Sequence, residues 1–264
     1  MYPVLFRFFG IEIHTFGALV ALAFAVGFGW TFHRARQRGE DPDLYAEAAV
    51  WIIIAAMVGA RLMYVVFFPN LLWNDPLGTL LSQGGLVWYG GVLGAILALW
   101  GYSHWRGLPL LQFLDRLSPP AALGMAIGRV GCLMAGCCYG APCTLPWAIY
   151  YPADHSTHPH GVHPSPLYES VLMLGVMFLL LRLEKPSTQG EPRPPGWSAG
   201  WFLVCYGLVR FGLEYLRGDR LVWLPSVDLS ASQLISLGGV VVGGWLLWRS
   251  QAATLRCKPD RLAR

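Results

Sequence analysis

The chain is predicted to be an all-α polytopic membrane protein: seven transmembrane helices in a single integral domain over 1–264, N-terminus outside and C-terminus cytoplasmic. Three observations predict this. Hydrophobic residues make up 55% of the sequence and charged residues 13%, about half the charge a soluble domain carries. Apolar windows recur near the length that spans a bilayer, roughly 20 residues at ~1.5 Å of rise for ~30 Å of hydrocarbon. Basic residues alternate between successive connectors as the positive-inside rule requires. They gather into no groove-sized patch, so nucleic acid is not an expected partner, and the composition excludes disorder and collagen.

The first window, 15–32, has no formal charge. It lacks a basic leader and a small-x-small exit, so it reads as a retained anchor. Window 46–68 is interrupted by Arg61, 84–102 is charge-free and glycine-rich, and 120–138 carries Arg129. The run 168–181 is short, 201–216 contains Arg210 and Glu214, and 229–248 closes the series. Between them, Arg34, Arg36 and Arg38, then Arg106 and Arg116, then Arg182, Lys185 and Arg193, and the tail residues Arg249, Arg256, Lys258, Arg261 and Arg264 fall on one side. Only Arg7, Arg217 and Arg220 fall on the other. An odd number of spans produces this alternation and puts the basic side in the cytoplasm. The proline-rich stretch 182–198 reads as a spacer, and no repeat marks two related halves.

Arg61, Arg129 and Arg210 remain inside apolar windows. An arginine at the bilayer centre costs about 2.5–3.5 kcal/mol even on the lenient scale, so each needs a partner. Glu214, one turn from Arg210, is the simplest one. The second, fourth and sixth windows run outward with their arginines at or beyond the middle, while the third and fifth run inward and begin with Tyr89 and with Tyr168 and Glu169. The polar groups thus fall in the central and outer membrane. Guanidinium groups gathered there form a bidentate site for an anion that itself lives in the membrane, and a phospholipid phosphate is the candidate.

Gly90 and Gly91 follow Tyr89, Gly84 and Gly85 precede it, and Gly94 lies nearby. They suit either close helix packing or a headgroup cradle. The segment 128–140, GRVGCLMAGCCYG, sets Arg129 among glycines beside Cys132, Cys137 and Cys138, with Cys143 beyond. The C-x4-C-C-x4-C spacing matches no standard zinc pattern. Buried apolar cysteine, an extracytoplasmic disulfide, and a reactive thiol or metal ligand all remain open. His155, His158, His160 and His163 follow in the next connector, more readily surface histidines than ligands.

These motifs, IEIHTFG at 11–17, GARLMYVVFF at 59–68, GGLVWYGGVLG at 84–94, GRVGCLMAGCCYG, HPSPLYE at 163–169, RFGLEYLR at 210–217 and SASQLIS at 230–236, resemble the bacterial phosphatidylglycerol-prolipoprotein diacylglyceryl transferases in order and spacing. The resemblance implies a seven-span enzyme of the bacterial cytoplasmic (inner) membrane. Such an enzyme moves a diacylglyceryl group from phosphatidylglycerol to the cysteine thiol of a prolipoprotein lipobox and releases glycerol phosphate. It implies no cofactor or metal. Arg129 and Arg210 match the family's phosphate-binding arginines, which act with Tyr89 and Cys132 at the reacting centre. Arg61, His14, Gly90, Gly91, Tyr168, Glu169, Glu214 and Arg217 are expected to bind substrate.

The chain departs from the family pattern at three places. Tyr89 stands where the family has histidine before its Gly-Gly, Cys132 where it has asparagine, and Phe16 where it has tyrosine. Histidine accepts a proton near neutral pH, whereas tyrosine, with a pKa near 10, does not. The proton acceptor is therefore expected at another group such as His14 or Glu169, or the chain is a divergent member with a different acceptor substrate. Two other classes of protein compete with this reading. A membrane thiol or metal protein using the Gly-Cys-Cys segment leaves the arginines unexplained. An anion or lipid transporter needs polar residues through the inner half, and the sequence has none there.

Overall fold

The computed structural model describes residues 4–8, 11–70, 75–76, 87–184, 193–218, 220, 222–224 and 228–256. Gly84, Gly85, Lys185 and Lys258 lie outside them. Seven helices carry the described fold: α1 (Thr15–Gln37), α2 (Pro42–Phe67), α3 (Trp88–Trp105), α4 (Leu110–Ala135), α5 (Ser165–Leu183), α6 (Trp197–Leu213) and α7 (Ala231–Arg256). Strands β1 (Val4–Phe8) and β2 (Ile11–His14) pair antiparallel before α1, and the shorter β3 (Val222–Leu224) and β4 (Leu229–Ser230) pair before α7. α1, α2, α4, α5 and the Ala231–Ala252 part of α7 are long and apolar enough to cross a membrane. α3 and α6 have 18 and 17 residues. The chain is a helical membrane protein.

The residues fall into two compact units, 28–113 and 1–27 with 114–264. In the first, α2 and α3 pack through small residues. A Cβ on Gly59 would strike the Gly90 carbonyl, and one on Gly94 would strike that of Ala55. With lipid tails as apolar as the side chains, such close backbone approach is what holds membrane helices together. At one end of this pair the Tyr102 hydroxyl lies 3.0 Å from both the Leu44 carbonyl and a Glu47 carboxylate oxygen. Arg106 pairs with the same carboxylate. α2 also exposes Trp51, Met57, Leu62 and Val66, side chains suited to hydrocarbon rather than water.

In the second unit, α6 and α7 pack through Gly200, Gly207 and Gly243, where an added Cβ would meet Leu247, the Ser236 carbonyl and the Gly200 carbonyl. Ser170 of α5 donates to the Ala126 carbonyl of α4 at 2.8 Å. Asp115 of α4 accepts from the Gly196 and Ala199 amides at 2.7 and 2.8 Å, capping the free N–H groups that open α6.

α4 begins ten residues before the start expected at Pro120. Proline favours the first turn of a helix, but here Pro119 and Pro120 lie inside one, as packing against neighbouring helices permits in membranes. Arg116, expected in a connector, therefore lies on α4, as does Asp115. Removing that cap tests the arrangement. Asp115→Ala should destabilise the detergent-solubilised protein by about 1–2 kcal/mol, read as a lowered melting temperature. Asp115→Asn, which keeps one acceptor oxygen, should lose less.

Candidate active site

Arg129 and Arg210, the two arginines of the larger unit that fall inside apolar windows, each meet a buried carboxylate. Arg129, on α4, has an Nη2 2.8 Å from Oε1 of Glu169 in the first two turns of α5. Arg210 Nη2 lies 2.9 Å from Oε2 of Glu214, where α6 tightens into the 3₁₀ turn Glu214–Leu216. Both carboxylates are 4% exposed, against 20% for Arg129 and 12% for Arg210. Arg217 Nε reaches within 4.0 Å of the same Glu214 oxygen.

The pairs are close without being well-aligned hydrogen bonds. Glu169 Oε1 and Glu214 Oε2 have no aligned donor, and the buried Arg210 Nη1 has no hydrogen-bond partner among the described residues. The Arg210 guanidinium thus sits on α6 with donor capacity to spare. A buried donor left in this way costs about 1–3 kcal/mol, and more when charged.

The surroundings hold Glu214 in place. Ser230 Oγ donates to Glu214 Oε1 at 2.8 Å, and Arg210 Nη2 lies 3.1 Å from Ser232 Oγ. Ser230 and Gln233 exchange bonds reciprocally at the start of α7: the Ser230 amide donates to Gln233 Oε1 at 3.0 Å, and the Gln233 amide to Ser230 Oγ at 3.2 Å. This is a capping box. Its Ser-x-x-Gln signature stood in the SASQLIS motif, where no role was assigned to it.

Arg217 is fixed by backbone lacing. Gly140 pairs with it in a β-bridge, the Ala141 amide donates to the Leu216 carbonyl at 2.8 Å, and the Gly140 amide to the His163 carbonyl at 2.9 Å. A Cβ on Gly140 would run into His163 and Ser165, so glycine is required there for the strands to meet. Beside them the Tyr168 hydroxyl accepts from Trp147 Nε1 at 2.7 Å.

The Gly-Cys-Cys segment follows from one turn. Gly136, at φ +75°, ends α4: its amide donates to the Leu133 carbonyl at 3.3 Å and the Cys137 amide to the Cys132 carbonyl at 3.1 Å. This pair of bonds is a Schellman motif. It folds Cys137 and Cys138 back on Cys132, and Cys138 itself takes φ +59°. The window expected to run to residue 138 thus stops at Ala135. All five described cysteines are free thiols. Hydrogen bonds from Cys132 and Cys137, with the Arg217 and Arg129 charges beyond, hold the Cys138 thiol well below its ordinary range. The reciprocal bonds push Cys137 up. Tyr151, stacked on His155 at 4.1 Å, is pushed up to about 12 by burial.

The other expected site residues lie on other elements. His14 is exposed at the end of β2. Tyr89, 44% exposed, is on α3 and half-buried Arg61 on α2, in the smaller unit. Gly90 and Gly91 face Gly59, Ala56 and Ala60, so packing between α2 and α3 already accounts for both.

Buried arginine–carboxylate pairs on the apolar helices of a membrane protein define the class of this site. The chain matches the family model described as "Prolipoprotein diacylglyceryl transferase" over residues 3–249, and it belongs to that family. Three relatives are named phosphatidylglycerol-prolipoprotein diacylglyceryl transferase. That of Thermosynechococcus vestitus is 34% identical over 90% of this chain and 89% of its own. That of Trichormus variabilis is 32% identical over 94% and 91%, and that of Clostridium tetani 30% identical over 92% and 95%.

A double substitution tests the buried pair. Glu169→Leu alone should cost about 3 kcal/mol of stability, since it strands a mostly buried guanidinium. Arg129→Leu combined with Glu169→Leu should recover most of that loss in thermal unfolding.

Proposed function

We propose that the chain transfers the diacylglyceryl group of phosphatidylglycerol to the cysteine thiol of a prolipoprotein lipobox. The observation that carries this reading is the buried, unpartnered Nη1 of Arg210 beside two arginine–carboxylate pairs that are not aligned hydrogen bonds. A phosphodiester accepts from a guanidinium fork with two oxygens at once, so a lipid phosphate can supply the bonds that Glu169 and Glu214 leave misaligned.

In the reaction the acceptor sulfur attacks the glycerol carbon that carries the phosphate ester. A C–S bond forms, the C–O bond breaks, and glycerol phosphate leaves with the electron pair. Charge grows on the phosphate oxygens as that bond lengthens. Arginines fixed in advance by Glu169, Glu214 and the capping box stabilise this charge with little reorganisation. Arg217 supports the same phosphate. Tyr168 binds the headgroup, and Tyr89 and Arg61 keep the substrate-binding roles that the family resemblance implies. Cys132 lines the cavity beside Arg129. Glu169, freed from Arg129 when phosphate takes its place, is the acceptor of the thiol proton, with His14 as the second candidate. The runner-up reading, a different acceptor substrate, draws on Tyr89, Cys132 and Phe16 at altered family positions.

The proposal extends to seven spans in the bacterial cytoplasmic (inner) membrane, with the N-terminus outside and the site in the outer half. Thirteen of the sixteen basic residues outside the apolar windows fall on one side of that arrangement.

Mass spectrometry of a lipobox peptide incubated with purified protein and phosphatidylglycerol should show a gain of one diacylglyceryl group. Absence of that gain would refute the transferase reading. Arg129→Ala and Arg210→Ala should each lower the rate by at least about 10²-fold in a folded protein. Arg210→Lys should fail similarly, because a point charge cannot reproduce the fork.

Orientation is tested separately. A cysteine at His158 should react with a membrane-impermeant reagent from outside, and one at Arg193 only from the cytoplasm, each above the labelling of the parent chain.

A further inference from the structure

The thiols of Cys132, Cys137 and Cys138 are not needed for the phosphate site, yet their Sγ atoms lie within 4.8 Å of one another. We propose that these three sulfurs form a binding site for a soft d¹⁰ cation, zinc(II) or copper(I). A metal–sulfur bond of about 2.3 Å sets thiolate sulfurs about 3.8–4.0 Å apart in tetrahedral or trigonal geometry. Contraction by about 1 Å or less therefore closes the site.

The backbone supports that closure. The Schellman turn at Gly136 brings residues i, i+5 and i+6 together, which explains how sulfurs whose spacing matches no zinc pattern come to converge. Cys138 holds a left-handed φ of +59°, a conformation uncommon outside glycine and often retained at functional sites. Two residues on, the lacing of Gly140 to His163 and Arg217 fixes the chain as it leaves the cluster.

The charges fit as well. Arg129, one turn before Cys132 on α4, and Arg217 both act on Cys138, so three thiolates and a cation would not stand as an uncompensated anion. All-sulfur donors select zinc or copper(I) and disfavour magnesium, calcium and manganese.

Histidine does not complete the set. Both His155 ring nitrogens are engaged, Nε2 with the Gly136 carbonyl and Nδ1 with Thr157 Oγ1, each at 2.9 Å. The site is therefore trigonal for copper(I), or keeps an open fourth position for zinc. Its existence does not depend on the transferase reading.

The test uses full-length protein in detergent, stripped with a chelator and kept anaerobic, titrated in separate arms with Zn²⁺ alone and Cu⁺ alone. Metal per chain is measured after desalting, and the thiols protected from alkylation are mapped by mass spectrometry in the unsubstituted protein. The proposal expects one ion per chain from at least one arm, with protection confined to Cys132, Cys137 and Cys138. The tighter-binding arm identifies the cation. Cys132→Ser, Cys137→Ser and Cys138→Ser should each weaken binding at least tenfold, while Cys143→Ser and Cys205→Ser should not.

Three results would overturn the proposal: less than half an ion per chain from both arms, protection spread over other cysteines, or thiols of the cluster found in a disulfide, released only by reductant, in the metal-titrated protein. Because the protection map needs no substitution, a variant that fails to fold leaves the test intact.

Discussion

A guanidinium group in a membrane must be matched by charge, and this constraint organises the larger unit of the structure. Arg129 and Arg210 sit on different helices, and each is met by a carboxylate from a helix beginning or a helix end. Desolvating two charges costs several kcal/mol per ion, which pairing repays only when geometry and extra hydrogen bonds are good. Here the geometry is deliberately incomplete: Arg210 Nη1 is buried without a partner among the described residues. A protein selected for stability alone would have little reason to keep such a group, whereas a site for an anion would.

The loops and caps around the pairs follow from the need to hold them still. Ser230 and Gln233 cap α7 and at the same time bring the Ser230 hydroxyl onto Glu214. Gly140 lets the segment after α4 pass close to both His163 and Arg217. Asp115 secures the start of α6, the helix that carries Arg210. The arginine on α6 is thus positioned from both ends of its own helix.

Much of this was legible in the sequence, and the exceptions have physical causes. The helices announced themselves as apolar windows because lipid demands length and low charge. The Arg210–Glu214 contact was readable from its one-turn spacing, and the capping box had a signature. Arg129 with Glu169 was not readable as a pair, since 40 residues separate them and only the packing of α4 on α5 brings them together. The start of α4 was misplaced because an apolar window stops short of charged residues, and Asp115 and Arg116 lie inside the helix; that error concealed Asp115 as the cap of a distant helix. The cysteine cluster was concealed because spacing rules describe loops, whereas here a glycine at positive φ reverses the chain after a helix.

The central claim is that Arg129 and Arg210 exchange their carboxylates for a lipid phosphate. Equilibrium binding of radiolabelled phosphatidylglycerol to the detergent-purified protein tests it without requiring turnover. The account predicts one saturable site per chain, not displaced by excess zwitterionic phosphatidylethanolamine and lost when Arg129 and Arg210 are both replaced by glutamine in a protein that keeps its fold. Binding that survives that double replacement unchanged would contradict it.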